Sequence, residues 1–172
     1  MKTLILGGVR SGKSRHAETM ARSSGLAVSY IATAWPDDAE MAARIAHHRT
    51  RRPAGWILIE EPLALGTQLK AQAAPDRCVM VDCLTLWLTN LLLASDDNLV
   101  ARERAALLVM LPALPGEIVL VSNETGLGVV PLGELTRRYC DEAGRLHQDL
   151  ARICDRVVLM VAGLPLYLKG NA

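Results

Sequence analysis

Short apolar runs and longer stretches of helical spacing alternate along the chain. Residues 2–6 (KTLIL), 27–32 (AVSYIA), 56–60 (WILIE), 78–82 (CVMVD), 118–122 (IVLVS) and 157–161 (VVLMV) are brief and rich in Val, Ile and Leu. A strand with one wet face alternates apolar and polar residues, whereas continuous apolar runs fit strands covered on both faces of a parallel sheet. Between them, residues 12–23, 38–51, 63–73, 84–94, 98–111 and 132–154 carry the three- and four-residue apolar spacing of a helix. The rhythm predicts an α/β fold, a mostly parallel sheet flanked by helices on both faces and joined by right-handed crossovers. No repeat, linker or low-complexity tract divides residues 1–172, so a single domain is expected. Open α/β sheets bind ligands beyond the carboxyl ends of their strands. Those ends here carry residues 7–14, 33–38, 60–61, Asp82 and 122–124.

Composition narrows the function. The chain has 172 residues, 51% of them hydrophobic, and 19 Lys and Arg against 18 Asp and Glu, a formal charge of +1. A nucleic-acid binder would carry a larger basic surplus. With 3% aromatic residues and no Phe, the chain also lacks material for stacking bases. Cys78, Cys83, Cys140 and Cys154 form no CxxC pair, so free thiols in a reducing compartment are expected over zinc or disulfides. Residues 1–6 are too short an apolar stretch for a signal sequence. The longest apolar run, 84–94, is interrupted by Thr85, Thr89 and Asn90 and falls short of a membrane span. A cytoplasmic protein with no membrane span and no nucleic-acid partner is expected.

After the first strand stands Gly7-Gly8-Val9-Arg10-Ser11-Gly12-Lys13-Ser14, which matches G-x-x-x-x-G-K-[ST] between a strand and a helix. Glycines let backbone N–H groups converge on phosphate oxygens, and the following helix adds its positive end. Lys13 would reach the outer phosphates and Ser14 would offer its hydroxyl to Mg²⁺. Asp82, closing an apolar strand, is the candidate carboxylate on the opposite side of that ion, or else a cap for the helix that follows. Glu124 is a second acidic candidate. A Ras-like GTPase would need N/T-K-x-D, and no lysine here is followed two residues later by aspartate. Asp141-Glu142-Ala143-Gly144 matches D-x-x-G but falls within the predicted helix 132–154, and reads as coincidence.

The other informative stretch is Met41-Ala42-Ala43-Arg44-Ile45-Ala46-His47-His48-Arg49-Thr50-Arg51-Arg52-Pro53. On a helix Arg44, His48 and Arg52 share a face, while His47 points about 100° away. A solvated basic face, an arginine clamp on a triphosphate and a histidine that attacks phosphorus all fit this spacing.

The loop followed by Arg15-His16-Ala17-Glu18, then Tyr30-Ile31-Ala32-Thr33 and residues 40–53, resembles the bifunctional adenosylcobinamide kinase/adenosylcobinamide-phosphate guanylyltransferases of cobalamin biosynthesis. Similar too are Val81-Asp82-Cys83-Leu84-Thr85-Leu86-Trp87-Leu88-Thr89-Asn90-Leu91-Leu92, Val121-Ser122-Asn123-Glu124-Thr125-Gly126-Leu127-Gly128-Val129-Val130-Pro131 and Ala162-Gly163-Leu164-Pro165, so the resemblance runs through the whole chain. It implies a RecA-like P-loop NTPase fold and a homotrimer. ATP or GTP would phosphorylate adenosylcobinamide; GTP would then pass GMP to adenosylcobinamide phosphate through a guanylyl-histidine. The histidine followed by a basic residue, His48, would be the nucleophile, with His47 as the fallback. Ala32, Thr33, Ala34, Arg49, Thr50, Arg51, Arg52, Glu60 and Asp82 would contact the guanine nucleotide. In Leu146-His147-Gln148 the family pattern has asparagine where this chain has His147, which reads as a structural residue. No residue is assigned as base of the kinase step. The competing readings are an ordinary P-loop kinase without a covalent intermediate and a nucleotide-dependent interaction module, for which the apolar helix 84–94 would offer a surface.

Overall fold

The structure, a computed structural model, describes residues 1–35, 53 and 55–171. In chain order its elements are β1 (Lys2–Gly7), α1 (Lys13–Ser23), β2 (Ala27–Ala32), β3 (Ile57–Glu60), α2 (Leu65–Gln72), β4 (Arg77–Asp82), α3 (Leu84–Leu93) and α4 (Leu99–Met110). A 3-10 turn (Leu111–Ala113), β5 (Glu117–Val121), α5 (Glu134–Ile153), β6 (Arg156–Val161) and β7 (Leu164–Lys169) complete them. The six expected strands are present, shifted by a residue or so at their ends. The helix expected over 38–51 lies outside the described residues.

The seven strands form one sheet in the order β3-β2-β4-β5-β1-β6-β7. All neighbours are parallel except β6 and β7. Continuous apolar runs are explained by burial on both faces. Leu4 and Leu6, Val79 and Val81, and Ile118 and Leu120 face a core closed by α2, α3, α4 and α5. Their neighbours Ile5, Cys78, Met80, Val119 and Val121 face the other side, where Ala17 and Ala21 of α1 cover them. The four helices of the first face make its core the larger, and Leu84, Trp87, Leu88 and Leu91 of α3 are buried in it. The apolar run of α3 is therefore core, not a partner surface. All four cysteines are free, and burial pushes the thiols of Cys78 and Cys154 up to about 11 and about 12.

β7 departs from the sequence expectation, which placed no strand there. It pairs antiparallel with β6 across a two-residue turn of Ala162 and Gly163, at φ of +52° and +82°. Two positive φ values make the kind of tight turn whose twist matches a hairpin. Leu164, Leu166 and Leu168 alternate with Pro165, Tyr167 and Lys169, and this edge strand is mostly exposed. That alternation is the signal of a half-covered strand.

Trp87 is fully buried and its indole N–H donates to Leu63 O at 2.8 Å. Trp87→Ala is expected to cost about 3–5 kcal/mol of stability, read as a lowered denaturant midpoint at unchanged slope.

Candidate active site

The phosphate-binding loop fills the turn from β1 into α1. Gly7 lies at φ +153° and Gly12, the residue capping α1, at φ +97°. A Cβ on Gly7 would stand 2.6 Å from Met160 O and 2.6 Å from Ser11 Oγ, so the backbone passes where no other residue fits. The loop closes on itself through Ser11 N–H donating to Gly8 O at 3.2 Å. Two neighbours hold it from outside: Glu124 N–H donates to Gly7 O at 2.9 Å and Gly163 N–H to Ser11 O at 3.0 Å. The β6–β7 turn is thus a strut of the loop. Arg10 takes a positive φ of +55° at its tip, and Val9 beside it is exposed. Ser11 Oγ is buried without a hydrogen-bond partner, a polar group inside the loop that a phosphate oxygen would satisfy.

Lys13 is 7% exposed, and its Nζ donates to Gly8 O at 2.6 Å, so the ammonium lies folded over the loop. Burial lowers its pKa, while Cys83 and Asp82 act in the opposite direction. Asp82 ends β4, two strands from β1. Asp82 Oδ2 accepts from the Tyr30 hydroxyl at 2.9 Å. It does not cap α3, whose N-cap is Cys83 with no side-chain bond. Ser14, in the first turn of α1, completes the P-loop signature.

The other expected contacts spread along the same edge of the sheet. Ala32 ends β2 opposite Asp82 in the β2–β4 pairing, and Thr33 and Ala34 follow it. Thr33 is fully buried, with its hydroxyl donating to Cys83 O at 2.6 Å and accepting from Cys83 N–H at 3.0 Å. That side chain is a latch on the turn after β4. Glu60 ends β3 at the far edge of the sheet. Four strand spacings separate β3 from β1, about 19 Å at the usual interstrand distance. Glu60 and the P-loop therefore stand at opposite ends of one edge, with Ala32–Ala34 and Asp82 between them. His47, His48, Arg49, Thr50, Arg51 and Arg52 lie outside the described residues.

Several positions that organise this edge were not singled out as such in the sequence. Asn90 Nδ2 donates to Thr33 O at 2.8 Å and Pro62 O at 3.1 Å, tying the loops after β2 and β3 to α3. Thr85 Oγ1 accepts from Asn123 N–H at 2.7 Å. The signal was present: these are the polar residues that interrupt the apolar run of α3. Glu61 accepts from the N–H groups of Leu63 and Ala64 at 2.9 and 2.8 Å, shaping the entry to α2. His147, in α5, is 8% exposed, with Nε2 2.8 Å from Ser122 Oγ and Nδ1 3.8 Å from Glu124 Oε2. The D-x-x-G match of residues 141–144 lies inside α5, as expected of a coincidence.

Residues 3–168 match the protein-family model described as "Cobinamide kinase / cobinamide phosphate guanyltransferase". The chain is 65% identical over 171 residues to the bifunctional adenosylcobalamin biosynthesis protein CobP of Pseudomonas aeruginosa, covering 99% of each chain. It is 42% identical to the bifunctional adenosylcobalamin biosynthesis protein CobU of Salmonella typhimurium, covering 98% of this chain and 100% of that protein. Among solved structures it resembles the RadB recombinase (TM-score 0.51, 18% identity, 92% of this chain and 73% of that one). A Pyrococcus horikoshii OT3 protein, PH0250, gives TM-score 0.53 at 10% identity, covering 99% of this chain and 87% of that one. The fold is the α/β fold that the strand pattern predicts, in the RecA-like form that the family resemblance implied.

Burial holds the His147 imidazole below its ordinary 6.5, outweighing the opposite pull of Glu124. With the folded value depressed, the unfolded chain binds more protons as pH falls through 6.5. The stability given by the neutral ring is present above that pH and is lost on acidification. His147→Asn, which has no titrating ring, is expected to flatten the loss of thermal midpoint between about pH 7.5 and about pH 5.5 relative to wild type.

Proposed function

The chain belongs to the cobinamide kinase / cobinamide phosphate guanyltransferase family, and on that premise we propose how its residues carry the two reactions. It is a transferase of cobalamin biosynthesis that phosphorylates adenosylcobinamide with a nucleoside triphosphate and passes GMP from GTP to the resulting phosphate. The observation that carries this reading is the P-loop cradle itself: Gly7 and Gly12 in conformations that glycine takes freely, Lys13 folded across the loop, and Asp82 ending a strand two places away on the same edge of the sheet. Residues 1–172 act as one nucleotide-binding domain.

The backbone N–H groups of Gly8, Val9, Arg10 and Gly12 hold the phosphates together with the unpartnered hydroxyl of Ser11, and Lys13 neutralises the outer ones. ATP or GTP serves as kinase donor. The Ser14 hydroxyl, in the first turn of α1, and the Asp82 carboxylate, at the end of β4, are hard oxygen donors, a set suited to Mg²⁺. Bound there, Mg²⁺ would offset charge on the phosphate oxygens. Ala32, Thr33, Ala34 and Glu60, along the edge towards β3, hold the guanine nucleotide together with Arg49, Thr50, Arg51 and Arg52. Because Thr33 spends its hydroxyl on Cys83, its part is to fix the backbone there.

For guanylyl transfer, a ring nitrogen of His48 attacks the α-phosphorus of GTP. The N–P bond forms, the bond to the bridging oxygen breaks, and pyrophosphate leaves with its electron pair, stabilised by Lys13 and the arginines. An oxygen of adenosylcobinamide phosphate then attacks the same phosphorus and the N–P bond breaks, which restores the histidine. The substrates are small molecules. The near-neutral charge of +1 gives no basic surplus for nucleic acid, and no helix among the described residues is long and apolar enough to cross a membrane. We place the enzyme in the cytoplasm as a homotrimer, a state to which the exposed Leu127, Val129, Val130 and Leu132 between β5 and α5, with Leu135 in the first turn of α5, lend an apolar contact surface.

Incubation with Mg²⁺ and GTP labelled at the α-phosphate, then denaturation, tests the covalent step. Acid-labile, alkali-stable label is expected on wild type and His47→Ala and absent from His48→Ala. Loss on His47→Ala alone would move the nucleophile by one residue. No label on any GTP-binding sample would leave an ordinary kinase without a covalent intermediate.

A further inference from the structure

The kinase half of the proposed function needs somewhere for a proton to go. When the acceptor hydroxyl attacks the γ-phosphorus, its proton must leave, and a positioned carboxylate is suited to receive it. Four carboxylates described on the site edge are Glu60, Glu61, Asp82 and Glu124. Glu60 ends the most distant strand, Glu61 accepts from Leu63 and Ala64, and Asp82 accepts from the Tyr30 hydroxyl at the end of β4, two strands from β1. Glu124 differs in place. It follows β5, the neighbour of β1, and with Gly8, Ser11, Leu127 and Met160 it lines a depression of about 430 Å³ beside the P-loop. Its side chain keeps 20% of its surface open.

The segment that carries it is fixed residue by residue. Ser122 N–H donates to Ile5 O at 2.9 Å, Asn123 N–H to Thr85 Oγ1 at 2.7 Å, and Glu124 N–H to Gly7 O at 2.9 Å. The carboxylate is held at one oxygen and has a ring nitrogen near the other. Gly126 N–H donates to Oε1 at 2.5 Å, and His147 Nδ1 stands 3.8 Å from Oε2. His147 is in turn fixed through Nε2 by Ser122 Oγ at 2.8 Å. With the Ser122 hydroxyl donating to Nε2, a neutral ring carries its proton on Nδ1, turned to the carboxylate. A buried serine, a buried histidine and a glutamate at the rim of the phosphate loop thus form one connected line.

We propose that Glu124 is the general base of phosphoryl transfer and that His147, backed by Ser122, is the residue that positions it. The acceptor oxygen bonds to the γ-phosphorus as the bond from that phosphorus to the β,γ-bridging oxygen breaks. The electron pair leaves with the nucleoside diphosphate, and the hydroxyl proton passes to Glu124 Oε2. This rests on the kinase reading of the site, and supplies the base that the sequence left unassigned.

The test measures phosphorylation of adenosylcobinamide by ATP for wild type, Glu124→Gln, Glu124→Asp, His147→Asn and His147→Leu. Glu124→Gln is expected to lower kcat by about 10² to 10⁴, with KM for ATP within about threefold of wild type. Glu124→Asp, which keeps the base but withdraws it by one methylene, is expected between the two; it carries the test alone if the glutamine variant lacks a thermal transition. His147→Leu is expected to lower kcat by about tenfold or more, and His147→Asn, whose amide can donate from near the Nδ1 position, to recover most of that loss. Glu124→Gln with near-wild-type kcat, or Glu124→Asp with wild-type kcat, would overturn the base. Equal kcat for His147→Leu and wild type would overturn the positioning. A wild type that forms no phosphate ester would instead sink the kinase reading, and this inference with it.

Discussion

The close approach of bare backbone at Gly7 and Gly12 is the constraint on which the rest of the site depends. Gly7 passes so near Met160 O that a Cβ would stand 2.6 Å from it, and a Cβ on Gly12 would stand 3.3 Å from Gly163 Cα. The loop can lie this low only because β6 and its hairpin turn run beside it and Gly163 returns a hydrogen bond to Ser11 O. An array of N–H groups preorganised in this way needs little reorganisation when phosphate arrives, which is where electrostatic catalysis gains most. The hairpin at the end of the chain is thus part of the phosphate site without supplying a side chain to it.

A second set of interactions keeps the strand ends in register with that loop. α3 is mostly core, yet its few polar residues do specific jobs. Asn90 holds the loops after β2 and β3, Thr85 holds Asn123 after β5, and the Trp87 indole holds Leu63. Thr33 closes the turn after β4 from the other side. Buried polar groups are costly unless satisfied, so each of these residues fixes its loop in one arrangement. Side chains spaced across five strands then present a single functional edge: phosphate loop at one end, Glu60 at the other.

Much of this was legible in the residues. Six strands showed as continuous apolar runs because both faces of a parallel sheet are covered, and the P-loop showed as a motif because its chemistry needs glycine, lysine and a hydroxyl at fixed spacing. Asp82 showed because a carboxylate closing an apolar strand is conspicuous. β7 was missed although its leucines alternate, since a short exposed edge strand carries little apolar weight and its turn sequence, Ala162-Gly163, is a weak signal. Thr33, expected at the nucleotide, has its buried hydroxyl bonded to the backbone of Cys83, and whether a position acts through its side chain or its backbone is a distinction that residue type alone does not make.

The sequence by itself determined the alternation of strand and helix, the phosphate loop and the family, because each rests on local spacing or on residue types in order. The strand order β3-β2-β4-β5-β1-β6-β7 came only with the tertiary structure, since pairing joins residues far apart in the chain. So did the line from Ser122 through His147 to Glu124. His147 lies 25 residues from Ser122 in sequence and 2.8 Å from it in space. No periodicity links a position on a helix to one on a strand. The packing of α5 on the sheet alone makes them neighbours, and burial there keeps the imidazole neutral beside the carboxylate it faces.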